Sequence, residues 1–130
     1  EGKTATIVTY GLMVHRALDA AAVLAKEGIE AEVVDLRTLS PLDMDTVLET
    51  VESTGRLVVV DEASPRCNIA TDIAAQVAMQ AFDALQAPIQ MVAPPHTPVP
   101  FSPALEDLYI PSAAQIADAA RRTMGKGRRN

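Results

Sequence analysis

Leu57-Val58-Val59-Val60 is apolar at every position. A strand with one face in water alternates polar and apolar residues, so this run predicts a central parallel strand covered on both faces. Such a strand demands a layer of helices on each side, and the rest of the chain supplies the pieces in alternating order. Thr6-Ile7-Val8-Thr9-Tyr10 is rich in β-branched residues and stops at Gly11, which predicts a first strand. Ala31 to Leu36 predicts a second, and Pro88 to Ala93 a fourth.

Helical patterns fill the gaps. Leu12 to Glu27 places Val14, Leu18, Ala21, Ala22 and Ala25 at helical spacing, and Gly28 follows as a stop. In Ser40-Pro41-Leu42-Asp43, Ser40 is the expected cap, Pro41 sits where its missing N–H costs nothing, and Asp43 can close a capping box. Val47, Leu48 and Val51 form the stripe of that helix, which Gly55 ends. Ile69, Ile73, Val77 and Ala81 predict a helix from about Ile69 to Leu85. Ser112-Ala113-Ala114-Gln115 predicts a capping box that opens a last helix, ending near Met124-Gly125.

Strands alternating with helices mean right-handed βαβ units and a parallel sheet. The predicted fold class is α/β, a three-layer α/β/α sandwich on a sheet of four strands in the order 2-1-3-4. A sheet in that order opens a crevice at its switch point, between the first and third strands. Gly11-Leu12-Met13 and Asp61-Glu62-Ala63-Ser64 would line it. Pro94 to Pro111 is too rich in proline for regular structure. The expected organisation is one domain over 1–124 and a basic tail over 125–130.

Charge narrows the function classes. The 130 residues hold 11 Lys+Arg against 17 Asp+Glu, a net of −6. Five of the positives (Arg121, Arg122, Lys126, Arg128 and Arg129) lie in the last ten residues, so the first 120 carry −11. An acidic body with 3% aromatic residues offers neither a phosphate-binding surface nor a platform for stacking bases. No apolar run approaches the roughly 18–20 residues that span a bilayer. One Cys excludes an intrachain disulfide and two His cannot build a three-His metal site. The chain begins at Glu1 with no basic-then-apolar leader, which reads as no secretion signal and as a piece of something longer.

Motifs for chemistry are missing. No G-x-G-x-x-G follows the first strand, no G-x-x-x-x-G-K-[ST] occurs, and there is no G-x-S-x-G turn. Cys67 lies before a helix N-terminus, but neither His15 nor His96 is near it in sequence to serve as a base, so a spectator thiol is expected. Asp61 and Glu62 follow the third strand. Adjacent residues on an extended chain point to opposite faces, so capping, or pairing with Arg66, is expected rather than acid–base work. Asp35 and Arg37 share a strand face, which suits an ion pair or an interface contact. His96 and Phe101 lie in Pro94-Pro95-His96-Thr97-Pro98-Val99-Pro100-Phe101, a stiff segment suited to a strap or an intersubunit contact.

Several stretches also match a known family in order. They are Thr6-Ile-Val-Thr-Tyr-Gly11, Val34-Asp-Leu-Arg-Thr-Leu-Ser-Pro-Leu-Asp43, Thr54-Gly-Arg-Leu-Val-Val-Val-Asp-Glu62, Pro98-Val-Pro-Phe101 and Leu105-Glu-Asp-Leu-Tyr-Ile-Pro111. Together they resemble the transketolase-like C-terminal domain in the beta subunit of thiamine-dependent 2-oxo acid dehydrogenases. Asp61-Glu-Ala-Ser-Pro-Arg-Cys67 most resembles the acetoin dehydrogenase branch. The resemblance implies that thiamine diphosphate and its Mg²⁺ sit on the alpha subunit and on the N-terminal domain of the beta subunit. It implies no catalytic, cofactor or metal residue in this stretch. The domain would hold an α2β2 tetramer together and in some members dock the basic subunit-binding domain of an acyltransferase core. Acids near the end of the third helix contribute to that docking in relatives. Asp83 matches them, and Gln86 is neutral where a relative carries an acid. Interface or docking candidates are thus Arg37, Glu62, Asp83, His96 and Phe101. The family adds an antiparallel strand before the first strand, with Glu1-Gly2-Lys3 as its tail. A bacterial cytoplasm is implied, with a mitochondrial matrix as the alternative. Cut from its subunit, the domain could self-associate through an uncovered apolar face. Two other readings are a free-standing small-molecule module using the crevice, and the same domain from a transketolase or a deoxyxylulose phosphate synthase.

Overall fold

The computed structural model describes residues 4–36, 43–62, 69–94 and 110–125. Within them run β1 (Ala5–Thr9), α1 (Met13–Ala25), β2 (Ala31–Asp35), α2 (Met44–Thr54), β3 (Leu57–Val60), α3 (Ile69–Gln80), β4 (Gln90–Val92) and α4 (Ala113–Met124). The four strands form one parallel sheet in the order β2-β1-β3-β4. Val8 sits opposite Val34 on one side and Val59 on the other, and Val59 in turn faces Met91.

All four residues of β3 are buried, as its composition predicts. Its side chains alternate between two cores. Val58 and Val60 join Ile7, Leu24 and Ile116 beneath α1 and α4, whereas Leu57 and Val59 join Val8, Val47 and Ile73 beneath α2 and α3. The sheet is therefore the middle layer of three.

The helix ends follow local chemistry. Ser112 accepts from the Gln115 N–H at 3.1 Å, and the Gln115 side chain accepts from the Ser112 N–H at 2.9 Å, a complete capping box. At the far end of α4, Arg56 donates to the Thr123 carbonyl at 2.9 Å. Gly55 closes α2 at φ 74°, a left-handed conformation that costs a residue with a Cβ about 1 kcal/mol or more.

Three expectations are corrected. Helix α2 begins at Met44 with Asp43 as its cap, accepting from the Thr46 N–H at 3.2 Å. Ser40 and Pro41 lie outside the described residues. Helix α3 ends at Gln80 rather than Leu85, and a 3-10 turn follows at Phe82–Ala84. The tighter turn brings Leu85 back onto the core and lets the Gln86 N–H reach the Gly55 carbonyl at 2.7 Å. Pro88 forbids a longer helix in any case. The phase of α1 also differs. Met13, Ala17, Ala20 and Leu24 face the sheet, while Leu18 is 51% exposed. The stripe Val14, Leu18, Ala21, Ala22 and Ala25 has the same period, but one residue further round. The tail of the additional antiparallel strand, Glu1-Gly2-Lys3, lies outside the described residues.

The corrected phase has a direct test. Leu24→Ala should cost about 2–4 kcal/mol by cavity formation, and Leu18→Ala less than about 0.5 kcal/mol. Urea unfolding at constant slope measures both.

Candidate functional site

The switch-point crevice lies at the carboxyl ends of β1 and β3. Tyr10 ends the first strand segment and Asp61 the third. Asp61 is fully buried. Its Oδ1 accepts from the Tyr10 hydroxyl at 2.7 Å, and its Oδ2 accepts from the Ala70 N–H at 3.2 Å, in the first turn of α3. Its own N–H donates to the Val92 carbonyl at 3.0 Å. The carboxylate therefore ties the ends of β1 and β3 to α3, while the backbone N–H ties in β4, and the carboxylate satisfies a helix N-terminus whose dipole favours negative charge. This is the capping use expected of Asp61. With both oxygens engaged inside the fold, the arrangement is a clamp rather than an acid–base centre.

The clamp acts on Tyr10 in turn. Burial, then the hydrogen bond to Asp61, then the negative fields of Asp61 and Glu62 hold the Tyr10 phenol well above its ordinary range. Half-buried Glu62 thus sits beside the clamp. The sequence marks Asp61 through its place after the strand. Tyr10 carries no comparable mark, because only the fold brings it across 51 positions to Asp61.

A second surface lies at the opposite end of α3. Met79 and Phe82 are 76% and 70% exposed, and with Glu52 and Asp83 they line a depression of about 500 Å³. Residues 43–55 and 69–94, which make the α2/α3 layer, hold six acids (Asp43, Asp45, Glu49, Glu52, Asp72 and Asp83) and no Lys, Arg or His. The described cations gather on the other side, where Arg121 pairs with Glu27 at 2.6 Å and with Asp118. Arg16 there donates to the Pro111 carbonyl at 2.8 Å.

The candidate residues do not converge on one site. Asp83 is exposed on the acidic surface just past the C-terminal end of α3, while Glu62 lies toward the other end of that helix, which is itself about 18 Å long by the rise of its 12 residues. Arg37, His96 and Phe101 lie outside the described residues, as do Arg66 and Cys67. Met79 and Phe82 escape sequence reasoning because it follows the buried stripe of Ile69, Ile73, Val77 and Ala81, and both lie on the other side of the helix from it. Among the described residues no group of three or more His, Cys, Asp or Glu could hold a metal ion. No helix among them is long and apolar enough to cross a membrane.

The clamp makes a measurable demand. Tyr10→Phe should cost about 1–2 kcal/mol, and Asp61→Ala more, since it strands both the Tyr10 hydroxyl and the α3 N-terminus. The raised Tyr10 value means the folded state holds that proton more tightly than the unfolded one. Its stabilisation is complete below the unfolded tyrosine value of about 10 and is lost as pH climbs above it. The stability gap between the wild type and Tyr10→Phe, read from urea midpoints, should therefore shrink as pH rises above about 10.

Comparison with known proteins places this geometry. The family model described as "Transketolase, C-terminal domain" matches residues 1–116. The chain is 83% identical over 128 residues to the acetoin:2,6-dichlorophenolindophenol oxidoreductase subunit beta of Cupriavidus necator, covering 98% of this chain and 38% of that protein. It is 47% identical over 124 residues to the pyruvate dehydrogenase E1 component subunit beta of Bacillus subtilis, covering 95% of this chain and 38% of that one. A solved structure titled "Split gene transketolase, inactive beta4 tetramer" superposes with a TM-score of 0.78 at 32% identity, over 95% of this chain and 39% of that one. The chain thus spans about two fifths of the relatives it matches. It belongs to the transketolase C-terminal domain family, on the acetoin branch of the dehydrogenase beta subunits.

Proposed function

We propose that the chain is the assembly domain of the beta subunit of a thiamine diphosphate-dependent acetoin dehydrogenase. The observation that carries this is the 83% identity to an acetoin oxidoreductase beta subunit over 98% of the chain. In this reading the parent enzyme cleaves its substrate and passes the acyl group to a lipoyl-lysine, in a bacterial cytoplasm. The domain's part is to hold alpha and beta subunits in an α2β2 tetramer and to present a docking surface.

The described residues do not fit a thiamine diphosphate–Mg²⁺ site. They offer no cluster of carboxylate, His or Cys ligands. The one fully buried carboxylate at the strand ends has its oxygens on Tyr10 and Ala70. No catalytic step is therefore assigned to this chain. The cation-free α2/α3 layer supports docking of a basic acyltransferase domain, with Asp83 as one contact, by complementary charge.

Two measurements test this. Calorimetric titration of the chain with thiamine diphosphate and Mg²⁺ should give only heat of dilution, and micromolar binding would sink the assembly reading. Asp83→Lys should weaken capture of the acyltransferase core at low salt by roughly tenfold, as expected for a charge reversal facing a basic partner. Unchanged affinity rejects Asp83 as a contact.

A further inference from the structure

Met79 and Phe82 stand open to water on a depression whose charged walls are Glu52 and Asp83. An apolar floor rimmed by acids alone suits a segment that brings cations on long aliphatic stems, which Lys and Arg do. Glu52 and Asp83 face no cation in their own layer, because the α2/α3 layer has none. On the α1/α4 side, by contrast, Glu27 and Asp118 are both held by Arg121.

The chain itself delivers such a segment to this end of the molecule. Two hydrogen bonds fix where α4 stops. Arg56, which follows the Gly55 cap of α2, donates to the Thr123 carbonyl at 2.9 Å, and Arg122 donates to Gln90 Oε1 at 3.1 Å, at the start of β4. The Gly55 carbonyl in turn accepts from the Gln86 N–H at 2.7 Å, three residues past Asp83. The last turn of α4 is thus pinned at the amino end of the sheet, on the same links that close α2 and follow the turn at Phe82–Ala84. Glu52 lies in the last turn of α2, and Asp83 lies within the Phe82–Ala84 turn. The five residues after Gly125 hold Lys126, Arg128 and Arg129 and no acid. Five residues fully extended span about 17 Å, and long side chains add to that reach.

We propose that residues 126–130 fold across the amino end of the sheet and occupy this depression. Lys126, Arg128 and Arg129 then meet Glu52 and Asp83, while their stems cover Met79 and Phe82. Exposed ion pairs are individually weak, so occupancy comes from tethering, which sets an effective concentration in the roughly millimolar range. The tail also competes with a basic partner for Asp83. That consequence rests on the docking reading above, and it adds a regulator of the same surface: the acids are shielded by their own chain until the partner displaces it.

A disulfide across the contact measures it. In a Cys67→Ser background, Gln80→Cys on the exposed rim is combined with Asn130→Cys, and the effective concentration of the two thiols is read in glutathione buffers. Glu52→Lys with Asp83→Lys should lower it by about tenfold. Lys126→Glu, Arg128→Glu and Arg129→Glu together should lower it as much, and joining both sets should restore it. Glu52, Gln80 and Asp83 are all exposed, and circular dichroism checks each fold. If the surface reversal fails to fold, the tail reversal alone carries the test. Unchanged effective concentration after either reversal, or a combined reversal that stays low, overturns the contact. An excess of the acyltransferase's basic subunit-binding domain should also lower the value, and no change overturns the competition. If the charge swap behaves as expected while Asp83→Lys leaves acyltransferase capture unchanged, the tail contact stands and the docking reading alone falls.

Discussion

A strand with no face for water requires two cores, and Leu57–Val60 imposes that requirement on every other element. Its neighbours β1 and β4 must be parallel to it, because only crossover helices can cover both faces. Those helices must then lie two to a side, α1 and α4 over one core and α2 and α3 over the other. The strand ends inherit a further demand. Where β1, β3 and β4 stop together, polar backbone enters the interior, and Asp61 resolves it, its carboxylate holding Tyr10 and the α3 N-terminus and its backbone N–H the Val92 carbonyl of β4. In a doubly wound sheet this crevice is where ligands usually sit. Here its buried carboxylate is spent on structure.

The two helical layers differ in charge as sharply as they are alike in shape. Every Lys and Arg of the described helices belongs to α1 or α4, and the α2/α3 layer is acidic throughout. Long-range fields from such a layer steer basic partners toward it and repel acidic ones. Met79 and Phe82 add what a field alone lacks, namely apolar area that can be desolvated on contact.

Most of the fold is legible in the sequence because its signals are local or periodic. The apolar run of β3, the Gly55 stop and the Ser112–Gln115 capping box each depend on a few adjacent residues, and each is found where the pattern puts it. The sheet order follows from connection handedness. What is not legible depends on the third dimension. Tyr10 meets Asp61 only after β1 and β3 pair. The break at Ala81 depends on Leu85 and Gln86 finding partners in α2 and its cap, which outweighs the helical propensity of Ala81-Phe82-Asp83-Ala84.

The phase of α1 is the instructive case, since period alone cannot choose between two apolar stripes one residue apart. Met13, Ala17, Ala20 and Leu24 go to the sheet because their alanines allow close approach of backbone to backbone, and Leu24 and Met13 fill the space at either end. The rival stripe starts from Val14 and Leu18, whose β-branch and bulk would hold the helix off. An ordinary surface helix would have shed the rival stripe in favour of charge, for an exposed apolar row contributes nothing to the stability of a lone domain and invites aggregation. In the structure that row is only partly open to water, since Val14 and Ala21 are half-buried and Leu18 is its one large exposed side chain.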